Sequence, residues 1–170
     1  MEQLNRAYRS RDLSPTPVKR AGAGNLLFTM EGPEQQNIEY TQYMPDSLHS
    51  KDKGEHLGGN RISEEIFGVS LRMEDPVVAR AFYEQKLGFH ESRHVIETDL
   101  IPLLMPGSSG QAVVISPGVF QLLLAVPSLR KTAAQLNVLQ IPFEKKKSML
   151  IVKDPDDNQI AFVTVGPENR

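Results

Sequence analysis

The chain has 170 residues, a formal net charge of −2 and no cysteine. This length fits one domain with part of another, and an apolar fraction of 39% is ordinary for a globular protein without disulfides. The small net charge gives no support for a nucleic-acid partner, and the lack of cysteine excludes thiolate ligands and thiol nucleophiles. No apolar run is long enough to cross a membrane. The compartment is unknown, with the cytoplasm as the default expectation.

The first part of the chain predicts a short helix followed by a hairpin. Residues 3–12 have a helical pattern with a polar face, and residues 26–30 and 38–43 predict two strands around a turn. Residues 44–65 are polar, carry mixed charge and contain a glycine pair, which predicts a linker. We expect His49 and His56, which lie in this linker, to be solvated.

The rest of the chain predicts two units with the order strand, helix and three strands. In the first unit, residues 66–73 alternate as a strand whose Phe67, Val69 and Leu71 face the helix. The helix begins at Asp75-Pro76, and its predicted buried stripe consists of Val78, Ala81, Phe82 and Gln85. Strands are predicted at 89–96, 100–105 and 111–115.

The second unit repeats this order. It has a buried strand at 120–126, a helix at 129–139, a short strand at 141–143 and a basic hairpin tip at 145–147. A last hairpin surrounds the sequence DPDDNQIAF, residues 154–162.

The two predicted hairpins are copies of one design. Pro33 and Ile38 of GPEQQNIEY match Pro155 and Ile160 of the last hairpin at one constant offset. After the shared isoleucine, the first copy has Glu39 where the second has Ala161. An internal repeat of this kind indicates a modular fold.

These features resemble the vicinal oxygen chelate superfamily, which includes glyoxalase I, extradiol dioxygenases and bleomycin-resistance proteins. The matching residues are Asp75-Pro76, Ala81-Phe82-Tyr83, Leu87-Gly88-Phe89 and the DPDDNQI run. The resemblance implies an α+β fold in which tandem βαβββ modules form a curved, mostly antiparallel cup. Residues 66–166 would form a complete glyoxalase-like domain. Residues 1–43 would be the C-terminal remnant of a preceding domain, which predicts that the chain derives from a longer protein.

The resemblance also implies where metal ligands would lie. In this family a divalent metal on the floor of the cup is held by residues of the first and last strand of each module. Those positions fall on Gly68, near Val113, on Gln121 and on Ala161. Three of the four have no donor side chain, so we expect no metal in 66–166. Glu39 occupies the corresponding glutamate position of the partial module and resembles a metal ligand, with the solvated strand glutamate as the alternative.

Other candidate residues are less specific. His90 and His94 lie four residues apart on a predicted strand, so their side chains share a face. They could bind a metal as a pair, or they could be ordinary surface histidines. Arg72 and Arg93 could line the cup and attract an anion, and Gln121 could contact a ligand. Tyr83 is expected to serve packing. The sequence identifies no catalytic residue.

The sequence leaves two functional hypotheses open. The favoured one is a glyoxalase-like protein without a complete metal site, which binds a small molecule or has a structural role. It predicts no cofactor in this chain, no nucleic-acid or membrane partner, and a homodimer or a missing N-terminal domain. The open edge of the first hairpin is expected to pair with the main domain or with a second copy of the chain. The alternative is a metal-dependent lyase or ring-cleaving dioxygenase whose active half is missing or supplied by a partner chain through Glu39, with a divalent metal in the full-length protein.

Overall fold

The computed structural model describes residues 1–63, 65–92, 102–106, 112–116 and 121–165. The chain divides into two compact units, Met1–Gly59 and Asn60–Arg170. We describe each unit by itself. Among the described residues, the helices are too short or too polar for any of them to span a membrane.

Unit 1 is a small three-stranded sheet covered by a helix. The helix α1 spans Glu2–Arg9, and the strands β1 (Lys19–Arg20), β2 (Leu26–Glu31) and β3 (Asn37–Gln42) pair antiparallel in that order. Tyr8 of α1 is buried against the sheet, where its ring lies 6.2 Å from Phe28 and 5.3 Å from Tyr40. The Tyr8 hydroxyl also donates to the Tyr40 hydroxyl at 3.1 Å. This aromatic cluster forms the core of a unit that has few other large apolar side chains to bury.

The first part of the predicted linker folds onto unit 1. Ser47 caps a one-turn helix, α2 (Leu48–Lys51), and the Leu48 amide donates to the Ala23 carbonyl. Asn25 is buried, with its Oδ1 accepting from the Met44 amide at 3.2 Å and its Nδ2 lying 2.9 Å from Nδ1 of His49. His49 is exposed, as the sequence predicts, although its ring also contacts Asn25 and packs edge-on to Tyr43.

Unit 2 contains both complete modules. The first runs β4 (Glu65–Arg72), α3 (Pro76–Ala81), β5 (His90–Glu91), β6 (Pro102–Leu104) and β7 (Ala112–Ser116). The second runs β8 (Gln121–Ala125), α4 (Leu129–Val138), β9 (Glu144–Lys146), β10 (Met149–Lys153) and β11 (Gln159–Val163). The tandem βαβββ order predicted from the sequence is confirmed.

All eight strands of unit 2 join one sheet in the order β5-β6-β7-β4-β8-β11-β10-β9. Neighbouring strands pair antiparallel except for β4 with β7 and β8 with β11, which pair the first and last strand of each module in parallel. The first strands of the two modules meet antiparallel at the centre. The sheet is therefore mixed but mostly antiparallel, as the α+β prediction requires.

Each face of this sheet has its own apolar cluster. On the side of α4, which we call the helix face, Leu136 packs with Leu150, Val152 and Phe162. The opposite side, which we call the cup face, carries a second cluster of buried residues: Phe67, Leu104, Ala112, Val114, Leu123, Ile151, Ala161 and Val163. Alternation of side chains along each strand separates the two sets.

Two details of the first module differ from the sequence prediction. A β-bulge at Phe67 shifts the register of β4 against β8, so Phe67 joins the cup-face cluster instead of facing the helix. The helix continues from α3 into a π-helical segment, Phe82–Lys86, in which the Leu87 amide donates to the Phe82 carbonyl. The wider turn changes the phase of the helix, so its buried residues are Ala79, Tyr83 and Leu87. The predicted stripe was wrong, and Val78 is 58% exposed.

The second module differs at its short edge strand. Residues 141–143 are not a strand, and β9 instead spans Glu144–Lys146, paired with β10. Lys145 and Lys146 therefore lie on the edge strand of the sheet, where charged side chains discourage pairing with another chain.

The two hairpin turns share one geometry. Gly32 and Asp154 occupy the first position, and the amide of each donates to the carbonyl of the fifth residue, Gln36 or Asn158. Gln35 and Asp157 occupy the fourth position and both have positive φ, at 64° and 66°. The repeat inferred from Pro33 and Pro155 thus extends to backbone conformation.

We predict that Asn25→Ala lowers the free energy of unfolding of unit 1 by about 1–3 kcal/mol, because the Met44 amide loses a buried acceptor. Three of the four tyrosines lie in unit 1 and the chain has no tryptophan, so tyrosine fluorescence during urea denaturation reports on this unit. The exposed Asn37→Ala is the matched control. Equal midpoints for the two variants would contradict the role of Asn25.

A second prediction concerns the pH dependence of the last hairpin. The hydrogen bond from the Asn158 side chain, supported by the backbone amides of Asn158 and Asp156, lowers the pKa of Asp154 below its ordinary value of 3.8. The stabilisation is therefore present above pH 3.8 and is lost as pH falls through the lower folded pKa. Asp154→Ala should unfold at lower urea than the native chain at pH 7, and the difference should shrink towards pH 2. Asp156→Ala is the control, and a difference that stays constant with pH would rule out this linkage.

Candidate functional site

The centre of the cup face is a row of four register partners. Gly68 of β4, Leu123 of β8, Ala161 of β11 and Ile151 of β10 lie side by side across adjacent strands. Leu123 and Ala161 have 0% exposure, and Ile151 is also buried. The row therefore contains two of the positions where the resemblance would place metal ligands, Gly68 and Ala161, and offers only hydrocarbon there.

Gly68 has no room for any side chain. A Cβ added to this residue would lie 2.2 Å from the carbonyl oxygen of Ala112 and 2.9 Å from its carbonyl carbon. The obstacle is backbone of the neighbouring strand, which cannot rotate away as a side chain can. The close approach of β4 and β7 thus requires glycine at this point, and a donor side chain here would need a shift of one strand.

The fourth-strand position also carries no donor. Val113 pairs with Val69 and Leu103, which places it on the helix face and not on the cup face. The residues of β7 that face the cup are Ala112 and Val114, both members of the buried cluster. The fourth-strand position expected near Val113 thus has aliphatic side chains on the cup face.

One step outward along the strands, the cup face becomes polar. Gln121 of β8 lies between Ser70 of β4 and Gln159 of β11, and Lys153 of β10 pairs with Gln159 in turn. We call these four residues the polar row. Nε2 of Gln121 donates to Oε1 of Gln159 at 2.6 Å, and both glutamines are half-buried. Sequence analysis named Gln121 and missed Gln159 and Ser70, although alternation from Ala161 and Gly68 would have placed both on the same face.

Of the two arginines predicted to contact a ligand, only Arg72 lies in the described part of the chain. Arg72 is exposed at the end of β4 and, by alternation, lies on the cup face beyond Ser70. In the part of the chain that the structure describes, it has no hydrogen-bond or ion-pair partner. Arg93 lies outside the described residues.

Among the described residues, the histidine and tyrosine candidates have no neighbours that suggest a catalytic or metal-binding role. His90 is exposed on β5, and His94 lies outside the described residues, so the proposed histidine pair stays a prediction. Tyr83 is buried against Phe82 and Phe89, and burial raises its pKa to about 12. A phenol with this pKa stays protonated near neutral pH, which suits a packing role.

Glu39 lies on the side of the unit 1 sheet opposite Tyr40. It is exposed, pairs across the strands with Thr29, and its Oε1 accepts from the Thr41 hydroxyl at 2.9 Å. Within the described residues, no group of three or more His, Asp or Glu side chains lies close enough together to hold a metal ion. The side chains described do not fit the divalent metal that the resemblance implies.

A cavity of about 590 Å³ lies on the helix face of unit 2. Its wall is mostly apolar, and Ile66 and Leu139 on its border are 61% and 41% exposed. Among the described residues that line it, Glu65 is the only charged one. Neither Gln121 nor Arg72, the two predicted ligand contacts that the structure describes, lies in this cavity.

We predict that Gly68→Ala lowers the free energy of unfolding by about 1–3 kcal/mol, since β4 and β7 must separate to admit the methyl group. Urea denaturation followed by circular dichroism measures the loss. Gly59→Ala is the control, because nothing lies within 4 Å of a Cβ added there. Equal stability of the two variants would show that the two strands do not approach this closely.

The solved structures with a similar fold include ring-cleaving dioxygenases. No family model and no curated protein sequence matches the chain. An extradiol ring-cleaving dioxygenase from B. fuscum matches 99% of this chain with a TM-score of 0.64 and 15% identity, over 55% of its own length. The 2,3-dioxygenase LapB from Pseudomonas sp. KL28 matches 99% of this chain with a TM-score of 0.63 and 13% identity, over 70% of its own length.

A halotolerant catechol dioxygenase, BphC, matches 96% of this chain with a TM-score of 0.55 and 16% identity, and the chain spans 62% of its length. At these identities the comparison shows fold and not activity. Together with the tandem βαβββ modules of unit 2, these matches show that the chain has the vicinal oxygen chelate fold.

Proposed function

We propose that residues 66–166 form a glyoxalase-like domain that binds a small molecule without a metal and does not turn it over. The observation that carries this proposal is the composition of the cup face. Where catalytic members of the superfamily present donors, this chain presents Gly68, an aliphatic β7 and Ala161, and only Gln121 has a donor atom.

The chemistry of this set argues against a bound cation. Divalent metals in enzymes of this kind need several oxygen or imidazole donors with at least some negative charge. A single neutral amide oxygen competes poorly with water, and the bond to Gln159 adds no negative charge to Gln121 because it uses Nε2 of Gln121 as the donor. The close packing at Gly68 also prevents a donor from being added by a simple substitution.

A ligand-binding role is supported by the edge of the cup face. The central side chains are already buried against one another, so a ligand would contact the polar row instead of the floor. The half-buried amides of Gln121 and Gln159 offer both donors and acceptors there, beside Arg72, whose guanidinium has no partner within the described part of the chain. A few polar groups beside an apolar surface are the usual composition of a small-molecule site.

The second candidate function is a metal-dependent lyase or dioxygenase that uses Glu39. It is favoured by the repeat of the two hairpins, which places Glu39 where the last strand of a module carries its glutamate, and by the exposure of its carboxylate. Its co-ligands would come from a preceding domain or a second copy of the chain. Under this proposal, residues 1–43 are the end of a module equivalent to the second module of unit 2.

A thermal-shift experiment with metals tests both candidates. The full chain is stripped of metal and melted with added Zn²⁺, Mn²⁺ or Fe²⁺, because a ligand that binds the folded state raises the melting temperature. We expect no rise for the native chain. Gln121→Leu and Glu39→Gln are measured beside it.

The two variants decide what a positive result means. A rise that Gln121→Leu abolishes would contradict the proposed function, since it would place a metal on the cup face. A rise that Glu39→Gln abolishes would instead support the second candidate.

A further inference from the structure

We propose that the polar row and Arg72 form a binding site for the carboxylate group of a small organic acid. This inference rests on the proposed function, because it names the ligand class of the same cup-face edge. It goes further by assigning a charge and a geometry to the ligand.

The side-chain amides of Gln121 and Gln159 have more N–H groups than their mutual hydrogen bond uses. The bond between Gln121 and Gln159 uses one N–H of Gln121 and one lone pair of Gln159. One N–H of Gln121 and both N–H groups of Gln159 then lack a partner among the described residues. Three amide N–H groups on neighbouring strands form a surface that donates hydrogen bonds, which an oxyanion can accept.

Arg72 lies on the same strand as the residue that pairs with Gln121. It lies two residues beyond Ser70, which is the register partner of Gln121. The Cα atoms of Arg72 and Ser70 are thus about 7 Å apart along the strand, a span that an arginine side chain can cover to meet a ligand held by Gln121. A guanidinium presents paired N–H groups whose geometry matches the two oxygens of a carboxylate.

The charged side chains at this edge are Lys153 and Arg72, and they differ in whether an acidic side chain pairs with them. Lys153 ends the polar row, but its Nζ pairs with Oδ1 of Asp157 at 3.0 Å. Among the described residues, Arg72 is therefore the cation of this group without an ion-pair partner, and no acidic side chain belongs to the polar row. One unpaired positive charge matches a monoanion, which favours a carboxylate over a phosphate dianion.

The test is an NMR titration of the full ¹⁵N-labelled chain at constant ionic strength. Sodium benzoate, neutral benzamide and inorganic phosphate are the probes, and the side-chain NH₂ signals of Gln121 and Gln159 are assigned with the variants Q121L and Q159L. We expect benzoate to shift these signals saturably, while benzamide and phosphate bind more weakly.

Two charge-removing variants test whether Arg72 itself binds the carboxylate. Arg72→Gln should weaken benzoate binding by about tenfold or more, because a charged hydrogen-bonding partner is lost. Lys145→Gln removes an equal charge from the edge strand β9 and should leave the binding unchanged. Thermal melting of both variants confirms that they fold.

The outcomes are distinguishable. If benzoate and benzamide shift the signals equally, or if Arg72→Gln and Lys145→Gln behave alike, the carboxylate site is overturned. If no probe binds and the cup face also takes up no metal, only this inference fails. Metal-induced changes at Gln121 would overturn the proposed function as well.

Discussion

The contact between β4 and β7 at Gly68 constrains the rest of unit 2. The two strands pair in parallel and approach so closely that a Cβ at Gly68 would overlap the Ala112 carbonyl. The bulge at Phe67 just before it turns a large aromatic side chain onto the cup face. The described residues at the centre of the cup face consequently form an apolar floor.

The same topology explains where polar chemistry remains possible. Parallel pairing of the first and last strand in each module aligns β8 with β11, so Gln121 and Gln159 become neighbours although they are far apart in sequence. One residue pair inward, Leu123 and Ala161 are completely buried. The polar side chains of the cup face therefore lie towards its edge, while the residues at its centre belong to the core.

The sequence predicted the features that depend on local signals. The helix of the second module begins after the cap Ser128, and the hairpin around Asp154 forms as its turn residues indicate. Features set by tertiary packing were missed. The first helix buries Ala79 and Tyr83 and becomes π-helical after Ala81, and neither a bulge nor a π-turn has a reliable signal in residue periodicity. The partnership of Gln121 with Gln159 depends on strand register, which the sequence does not specify across a module.

The central claim of the proposed function is that the cup face of unit 2 does not bind a divalent cation. The most direct measurement is paramagnetic broadening of amide NMR signals when Mn²⁺ is added to the full chain. This account predicts that the signals of Ser70, Leu123, Gln159 and Ala161 stay sharp while any broadening occurs at exposed carboxylates. Selective broadening of these cup-face signals at low Mn²⁺ would contradict it.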